Sequence, residues 1–243
     1  MSNNILFVFE GEKTEDQIID SLKKFYFNQE MIITCAYCNN IYNLYKQLHT
    51  DEDLDTFNLL KDIPINKQNL KEYKRTDFAE IYLFFDYDGH DTMADDSILI
   101  DLILKFNEET EKGKLYISYP MIESIKHISD FETFRDLKVK CKKNINYKNL
   151  VSSDCLKDLI QFKKYNSETW KKVIEAHLKK MNFIVNDEYQ LPNTLINQYS
   201  IFKKQLEKFI MIDETISVLS SFPMYLHDYY GNEFLINNIL DKK

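Results

Sequence analysis

Two carboxylates directly follow a run of apolar residues, and this segment constrains the fold more than any other part of the chain. Residues 81–85 read IYLFF, and Asp86 and Asp88 come next. Such a run predicts a buried strand. Alternate side chains of an extended chain point the same way, so both acids are expected to face one spot at the end of the strand. Gly89 then allows a sharp turn. Two like charges held together are unfavourable unless a cation or a proton lies between them, so the segment predicts a metal site.

The N-terminus repeats this design. Residues 5–9 read ILFVF and are followed by Glu10 and a glycine. Thr14 and Gln17 have the spacing of a capping box, and apolar residues follow at helical intervals, which predicts a helix that begins near Glu15. A carboxylate at a strand end lies where open α/β sheets bind their ligands.

Strands and helices alternate through the first half of the chain. A third carboxylate, Glu123, follows the predicted strand at 114–119, which Pro120 ends. The alternation predicts an α/β fold with a mainly parallel four-stranded sheet flanked by helices. The predicted strands cover residues 5–9, 31–37, 81–86 and 114–119, and the predicted helices between them include 39–48 and 97–106.

From about residue 128 the strand signal fades. Helical patterns cover residues 167–181 and 194–212. We therefore expect two parts, an α/β core over residues 1–127 and a helical extension over residues 128–243 that binds substrate or a partner.

Composition excludes several classes of protein. The chain has 243 residues, with 44% hydrophobic residues and only four glycines and four prolines, which is unlike a disordered or fibrous chain. No apolar run is long enough for a membrane helix, so we expect a cytoplasmic protein without a membrane partner. Cys35 and Cys38 lack a second pair of matching spacing, and we interpret them as semi-buried thiols rather than zinc ligands.

Charge is distributed unevenly. The whole chain carries −8, but residues 134–180 contain 13 Lys/Arg against five Asp/Glu, a net +8, which leaves −16 for the rest. This asymmetry allows a basic surface for phosphates beside an acidic metal centre. A solvated face of lysine-rich helices is the alternative. Because the acids offer only oxygen ligands, they favour Mg²⁺ or Mn²⁺ over zinc.

The pattern resembles the TOPRIM domain of primases, topoisomerases and several nucleases. The resemblance rests on Phe9-Glu10-Gly11 after the first strand and on Asp86-Tyr87-Asp88 after the third. The stretch from Glu10 to Glu15, together with Glu123 after the fourth strand, is more specifically similar to RloB-like nucleases and overcoming-lysogenization-defect (OLD) nucleases. The resemblance covers roughly residues 4–127.

The resemblance implies roles for individual residues. Glu10, Asp86 and Asp88 would bind the metal, and Glu10 would otherwise be a general acid or base. OLD-type enzymes also use a downstream lysine, for which Lys126 is the nearest residue and His127 is equally close. The implied metal ligands are Glu10, Glu15, Asp86, Asp88 and Glu123, and the implied catalytic residues are Glu10, Asp86, Asp88, Glu123 and Lys126.

The function that the resemblance implies is that of a metal-dependent endonuclease. Such proteins serve as toxic effectors in bacterial antiphage defence by abortive infection, often with an ATPase partner. The chain has no Gly-x-x-x-x-Gly-Lys-Ser/Thr motif, so a separate protein would hydrolyse ATP. The substrate would be tRNA, other RNA or DNA, and a homodimer is compatible with the sequence.

Two other functions stay open. Asp86-Tyr87-Asp88-Gly89 also resembles the motif of haloacid-dehalogenase phosphatases, in which Asp86 would be the nucleophile and Asp88 the acid/base. His90 stands where that motif has threonine, and the phosphatase interpretation gives Glu10 no role. The remaining alternative is a non-catalytic regulatory module with the TOPRIM fold.

Overall fold

The structure of the chain is a computed structural model. It describes residues 4–27, 31–38, 41–42, 45–46, 55–91 and 94–240. Of the helix predicted over residues 39–48, only 41–42 and 45–46 are described, and these are helical. The rest of that prediction lies outside the described residues.

One sheet of five strands contains the predicted strands. Its strands in chain order are β1 (Asn4–Phe9), β2 (Ile32–Tyr37), β3 (Glu80–Asp86), β4 (Asn107–Glu108) and β5 (Gly113–Ser118). They lie side by side in the order β2-β1-β3-β5-β4, with β1 parallel to both β2 and β3 and β4 antiparallel to β5. The prediction of an α/β fold with a mainly parallel sheet is confirmed. The four-strand count missed β4, because its two exposed residues carry no apolar pattern.

β1 is buried because it has a strand on each side. Residues 5–9 are at most 4% exposed. Phe7 packs against the rings of Tyr82 and Phe84 of β3, at centroid distances of 5.9 and 5.2 Å. Parallel strands that are covered on both faces have continuous apolar sequences, which explains why β1 and β3 were recognisable as apolar runs.

Besides the helical residues 41–42 and 45–46, three helices of the first half lie entirely within the described residues. They are α1 (Lys13–Lys23), α2 (Thr56–Asp62) and α3 (Asp96–Lys105). α3 begins at Asp95, whose carboxylate accepts hydrogen bonds from the N–H groups of Ser97 and Ile98. The predicted capping box of α1 is wrong, since the cap residue is Glu12 and makes no side-chain cap hydrogen bond in the described structure.

The second half is mainly helical. Its helices are α4 (Tyr147–Asp154), α5 (Ser167–Asn186), α6 (Gln198–Gln205) and α7 (Ser221–Tyr230). α6 continues through a π-helical turn, Leu206–Ile210, into Met211–Asp213, so the helix predicted over residues 194–212 begins later than expected. The chain ends in Asn232–Phe234 and a π-helical turn, Leu235–Leu240. Short 3-10 turns lie at Pro64–Asn66, Arg75–Asp77, Ile122–Lys126, Phe134–Asp136, Lys157–Leu159 and Phe162–Lys164.

A small second sheet interrupts the predicted helical extension. β6 (Lys138–Lys140) and β7 (Thr215–Ser217) pair antiparallel, with Val139 opposite Ile216. Each strand has three residues, and two of the three in β6 are exposed lysines. A strand of three residues is too short to show the alternation of apolar and polar residues by which strands are predicted from sequence.

The chain forms two compact units. One consists of Met1–Phe85 and Met93–Tyr116, and the other of Asp86–Thr92 and Ile117–Lys243. The segment with the acid pair therefore groups with the second half of the chain. None of the described helices is long and apolar enough to cross a membrane.

Candidate metal centre

Three of the predicted acids meet at the ends of two paired strands. β1 and β3 are in register with Phe9 opposite Phe84, so Glu10 and Asp86 extend strands that are hydrogen-bonded to each other. One carboxylate oxygen each from Glu10, Asp86 and Asp88 lies within 4.8 Å of the other two, and all three residues are partly buried. A group of this kind can bind a metal ion through hard oxygen ligands.

The backbone after β3 is held by the segment that follows β5. The Tyr87 N–H donates to the carbonyl oxygens of Ser118 and Pro120, at 3.0 Å each, and the Asp88 N–H donates to Pro120 at 3.3 Å. These bonds fix Asp88 in the left-handed region, with φ of 39°. Aspartate is one of the few residues that is enriched in this conformation.

The chain turns at Gly89 as the sequence predicted, with the Asp91 N–H donating to the Asp88 carbonyl at 2.9 Å, and the structure shows a second reason for glycine there. The left-handed φ belongs to Asp88. A Cβ on Gly89 would lie 2.3 Å from Cε1 of the Tyr87 ring. Since Tyr87 is only 1% exposed, glycine is needed because the backbone passes directly over a buried ring.

Glu15 supports the turn that follows Glu10. Its side chain is buried, and its Oε1 accepts a hydrogen bond of 3.2 Å from the Gly11 N–H. Among the described residues, Glu15 does not belong to the group of three carboxylates within 4.8 Å. This contact also explains why α1 starts earlier than predicted, since Glu15 binds the preceding turn from inside the first helical turn. A metal-binding role for Glu15 stays a prediction.

Glu123 lies in the 3-10 turn Ile122–Lys126, and its side chain is 6% exposed. Its Oε1 is 3.7 Å from Nζ of Lys148. Its Oε2 is buried and has no hydrogen-bond partner within the described part of the chain. Glu123 is likewise outside the group of three, and its metal-binding role stays a prediction.

The surroundings of Asp88 disfavour a bare carboxylate. Burial raises the pKa of Asp88, the positive charges of His90 and Lys148 oppose this rise, and the negative charges of Asp91 and Glu123 add to it. Its Oδ1 is buried without a hydrogen-bond partner among the described residues. A buried polar atom without a partner is unfavourable by about 1–3 kcal/mol, and a bound cation would remove that penalty.

Lys126 and His127 have contacts elsewhere. Nζ of Lys126 lies 5.4 Å from the centre of the Phe162 ring. His127 is 1% exposed, with Nε2 3.1 Å from Asp154 Oδ2 and Nδ1 2.9 Å from the Tyr147 hydroxyl. Because a carboxylate only accepts, Nε2 carries the proton and the Tyr147 hydroxyl donates to Nδ1. Burial lowers the pKa of His127, which favours this neutral form.

Lys148 is a residue of the site that sequence reasoning missed. It lies in the first turn of α4, close to Glu123, and its charge acts on Asp88. With Asp88 it lines a cleft of about 190 Å³. The only signal in the sequence was its place in the basic stretch 134–180, which does not distinguish it from twelve other basic residues.

The cysteines behave as ordinary thiols. Cys35 is partly buried, Cys38 is buried, and both are free. Burial raises the pKa of Cys35 to about 12, so the reactive thiolate is disfavoured.

Comparison with known proteins found no match: no protein-family model, no curated protein and no solved structure is similar to this chain.

Proposed function

We propose that this chain is a Mg²⁺- or Mn²⁺-dependent nuclease with a TOPRIM-type catalytic core. The observation that carries the proposal is the convergence of Glu10, Asp86 and Asp88 at the ends of the paired strands β1 and β3. The TOPRIM resemblance rests on the same three residues, in the same order along the chain.

The donor set fits a hard divalent cation. All three side chains offer carboxylate oxygens, and no histidine or cysteine belongs to the described group. Asp88, one of the three, has a buried Oδ1 without a partner among the described residues, and Glu123 Oε2, outside the group, is a second such oxygen. A cation would satisfy an acceptor of this kind. Mg²⁺ or Mn²⁺, when bound, would stabilise charge on a phosphoryl group and lower the pKa of a water.

The other residues would support these ligands. Glu15 holds the turn after Glu10 through Gly11. We assign the role of the downstream lysine to Lys148 rather than to Lys126, because Nζ of Lys148 lies 3.7 Å from Glu123 Oε1, whereas Nζ of Lys126 lies over the Phe162 ring. In this proposal Lys148 supplies positive charge to a phosphate oxygen, and Glu10 is either a ligand or a general acid/base.

The proposed substrate is a nucleic acid, either tRNA, other RNA or DNA. The basic stretch 134–180, with net charge +8, supports phosphate binding. By resemblance, the biological role is that of a toxic effector in antiphage defence by abortive infection. The protein would act in the cytoplasm together with a separate ATPase, and it would be able to form a homodimer. These parts of the proposal rest on the resemblance alone.

The test is cleavage of total RNA and plasmid DNA with Mg²⁺ or Mn²⁺ by the wild type, Glu10→Gln and Asp86→Asn. We expect both variants to lose cleavage by at least about 100-fold, since each removes a ligand charge that stabilises the transition state. Glu12→Gln is the matched control, because Glu12 is an exposed acid two residues from Glu10. It should cleave like the wild type.

Other outcomes would replace the proposal. Hydrolysis of a small phosphate ester that depends on Asp86 but not on Glu10 would favour the phosphatase. Absence of cleavage by protein that still binds Mn²⁺, both alone and with a co-expressed partner ATPase, would favour the non-catalytic module.

A further inference from the structure

The cleft beside Asp88 is small. Its volume is about 190 Å³, and its lining includes Asp88, Met121, Lys140, Lys143, Tyr147 and Lys148. Pockets that enclose a whole small molecule measure roughly 300–1,000 Å³. The cleft is therefore smaller than a typical pocket for a whole small molecule, and a single phosphate group is an occupant of suitable size.

Both acidic and basic side chains line the cleft. Asp88 is a partly buried acid, while Lys140, Lys143 and Lys148 are exposed lysines. Nζ of Lys140 donates to the carbonyl oxygen of Asp213, and Nζ of Lys148 lies near Glu123. The second contact holds the Lys148 ammonium beside an acid of the site, whereas the first ties the Lys140 ammonium to a carbonyl outside the cleft lining. An anion in the cleft would meet three positive side chains, and a cation at the acids would lie next to it.

The loop before α4 adds a further positive contribution. Asn146 has a left-handed φ of 51°, and its N–H donates to Asn144 Oδ1 at 2.8 Å. α4 then begins at Tyr147, and the first N–H groups of a helix have no acceptor within it. Residues 146–148 line the cleft, so the positive end of the α4 dipole faces the same volume as the lysines.

From this combination we propose that the cleft binds one phosphate group of a sugar–phosphate backbone, next to the phosphodiester that is attacked, and that it reads no base. The proposal rests on the proposed nuclease function, because it assigns one contact of that substrate. Recognition at this position is independent of sequence, since phosphate contacts orient a nucleic acid without distinguishing bases.

The experiment measures binding of labelled single-stranded and duplex oligonucleotides of several sequences across a salt series. EDTA is present, so no cleavage occurs. Lys143→Ala should weaken binding roughly five- to tenfold at 0.1 M salt, equally for all sequences, and should reduce the slope of log K against log[salt] by about 0.9. Lys143→Arg should restore most of the affinity. Lys163→Ala is the control, because Lys163 is an exposed lysine of the same basic stretch outside the cleft lining.

Four results would overturn the assignment. They are equal effects of Lys143→Ala and Lys163→Ala, loss of affinity for one sequence only, absence of oligonucleotide binding at low salt, and Lys143-dependent binding of inorganic phosphate without oligonucleotide binding. The last result would identify a free phosphate ester as the ligand.

The outcomes separate this inference from the proposed function. If cleavage requires Asp86 but Lys143→Ala leaves the slope of log K against log[salt] unchanged, only the phosphate-site assignment is wrong. If Lys143→Ala changes the slope as expected but no condition gives cleavage, the nuclease proposal is wrong and the cleft is still a phosphate-binding site.

Discussion

Two buried polar regions of the second compact unit, Asp86–Thr92 with Ile117–Lys243, are built in opposite ways. Around His177, which is fully buried, both ring nitrogens have partners: Nε2 donates to Ile125 O at 3.3 Å and Nδ1 accepts from the Ser220 N–H at 3.2 Å. The buried Lys180 donates to the carbonyl oxygens of Phe134 and Leu137. Beside Asp88 and Glu123, two buried carboxylate oxygens lack a partner among the described residues.

This difference distinguishes buried charged or ring nitrogens that the chain supplies with partners from buried carboxylate oxygens that it does not. Buried polar atoms in native proteins are nearly always hydrogen-bonded, so an exception requires an explanation. The nitrogens of His177 and Lys180 have partners within the chain, whereas the neighbouring Ser220 hydroxyl, a neutral group, has none in the described structure. The acid site has acceptors that the chain itself does not satisfy, so substitutions in the two regions should change stability in opposite directions.

The largest effect is expected at His177. His177→Ala should lower the free energy of unfolding by about 3–5 kcal/mol, because it leaves a cavity beside Phe134 and two buried backbone groups without partners. The His177 and Phe134 rings are now 4.8 Å apart. Urea unfolding of wild type and variant measures the change. A loss of unfolding free energy below about 1 kcal/mol would show that the packing and hydrogen bonds of His177 contribute little to stability.

The second prediction concerns pH. Burial lowers the pKa of His177 from 6.5 to about 3. Between these values the unfolded chain binds the proton and the folded chain does not, so stability falls as the pH falls from about 6.5 towards 3. The slope from this one group is up to about 1.4 kcal/mol per pH unit. His177→Gln should flatten the dependence of unfolding free energy on pH by that amount, and an unchanged slope would contradict the burial argument.

The third prediction has the opposite sign. Asp88→Asn should raise the stability of the metal-free protein by about 1 kcal/mol, or roughly 2–4 °C in Tm, since the buried carboxylate is unfavourable without a cation. The same variant should lose most of the Tm increase that Mn²⁺ gives the wild type. Asp158→Asn, at an exposed acid, is the control and should change neither value. If Mn²⁺ raises the Tm of Asp88→Asn as much as that of the wild type, the metal binds at another site.

The smallest effect is expected at Ser220. Its hydroxyl is buried without a partner in the described structure, while its N–H binds His177. Ser220→Ala removes only the hydroxyl, and a buried neutral hydroxyl is less unfavourable than a buried carboxylate, so the unfolding free energy should rise by less than about 0.5 kcal/mol. A loss comparable to that of His177→Ala would show that the hydroxyl has a partner after all.

The sequence predicted the features that depend on strand pattern. The apolar runs of β1 and β3 were recognisable because both strands are buried, and Glu10, Asp86 and Asp88 follow from where those strands end. The features that the sequence did not predict depend on contacts between residues that are far apart in the sequence. Lys148 approaches Glu123 across 25 positions, and no local pattern encodes that contact.

Local patterns gave one wrong explanation and one incomplete one. Thr14 had the spacing of a cap residue, but Glu12 precedes α1 and Glu15 binds Gly11 instead. The turn expected at Gly89 is present, but the Tyr87 ring beneath it is a second reason for glycine that the sequence did not reveal. In both cases a side chain nearby in space contributes to the local structure.

The path of the chain between the two compact units limits how the protein can be divided. The chain passes from one unit to the other at three places, Phe85–Asp86, Thr92–Met93 and Tyr116–Ile117. A fragment that starts at Ile117 would therefore lack Asp86 and Asp88, together with the N–H groups that bind Ser118 and Pro120. A fragment that ends at Tyr116 would keep Glu10, Asp86 and Asp88 but lose the Ser118 and Pro120 carbonyls that accept from Tyr87 and Asp88. Either cut therefore removes the acid pair or part of the backbone that positions it.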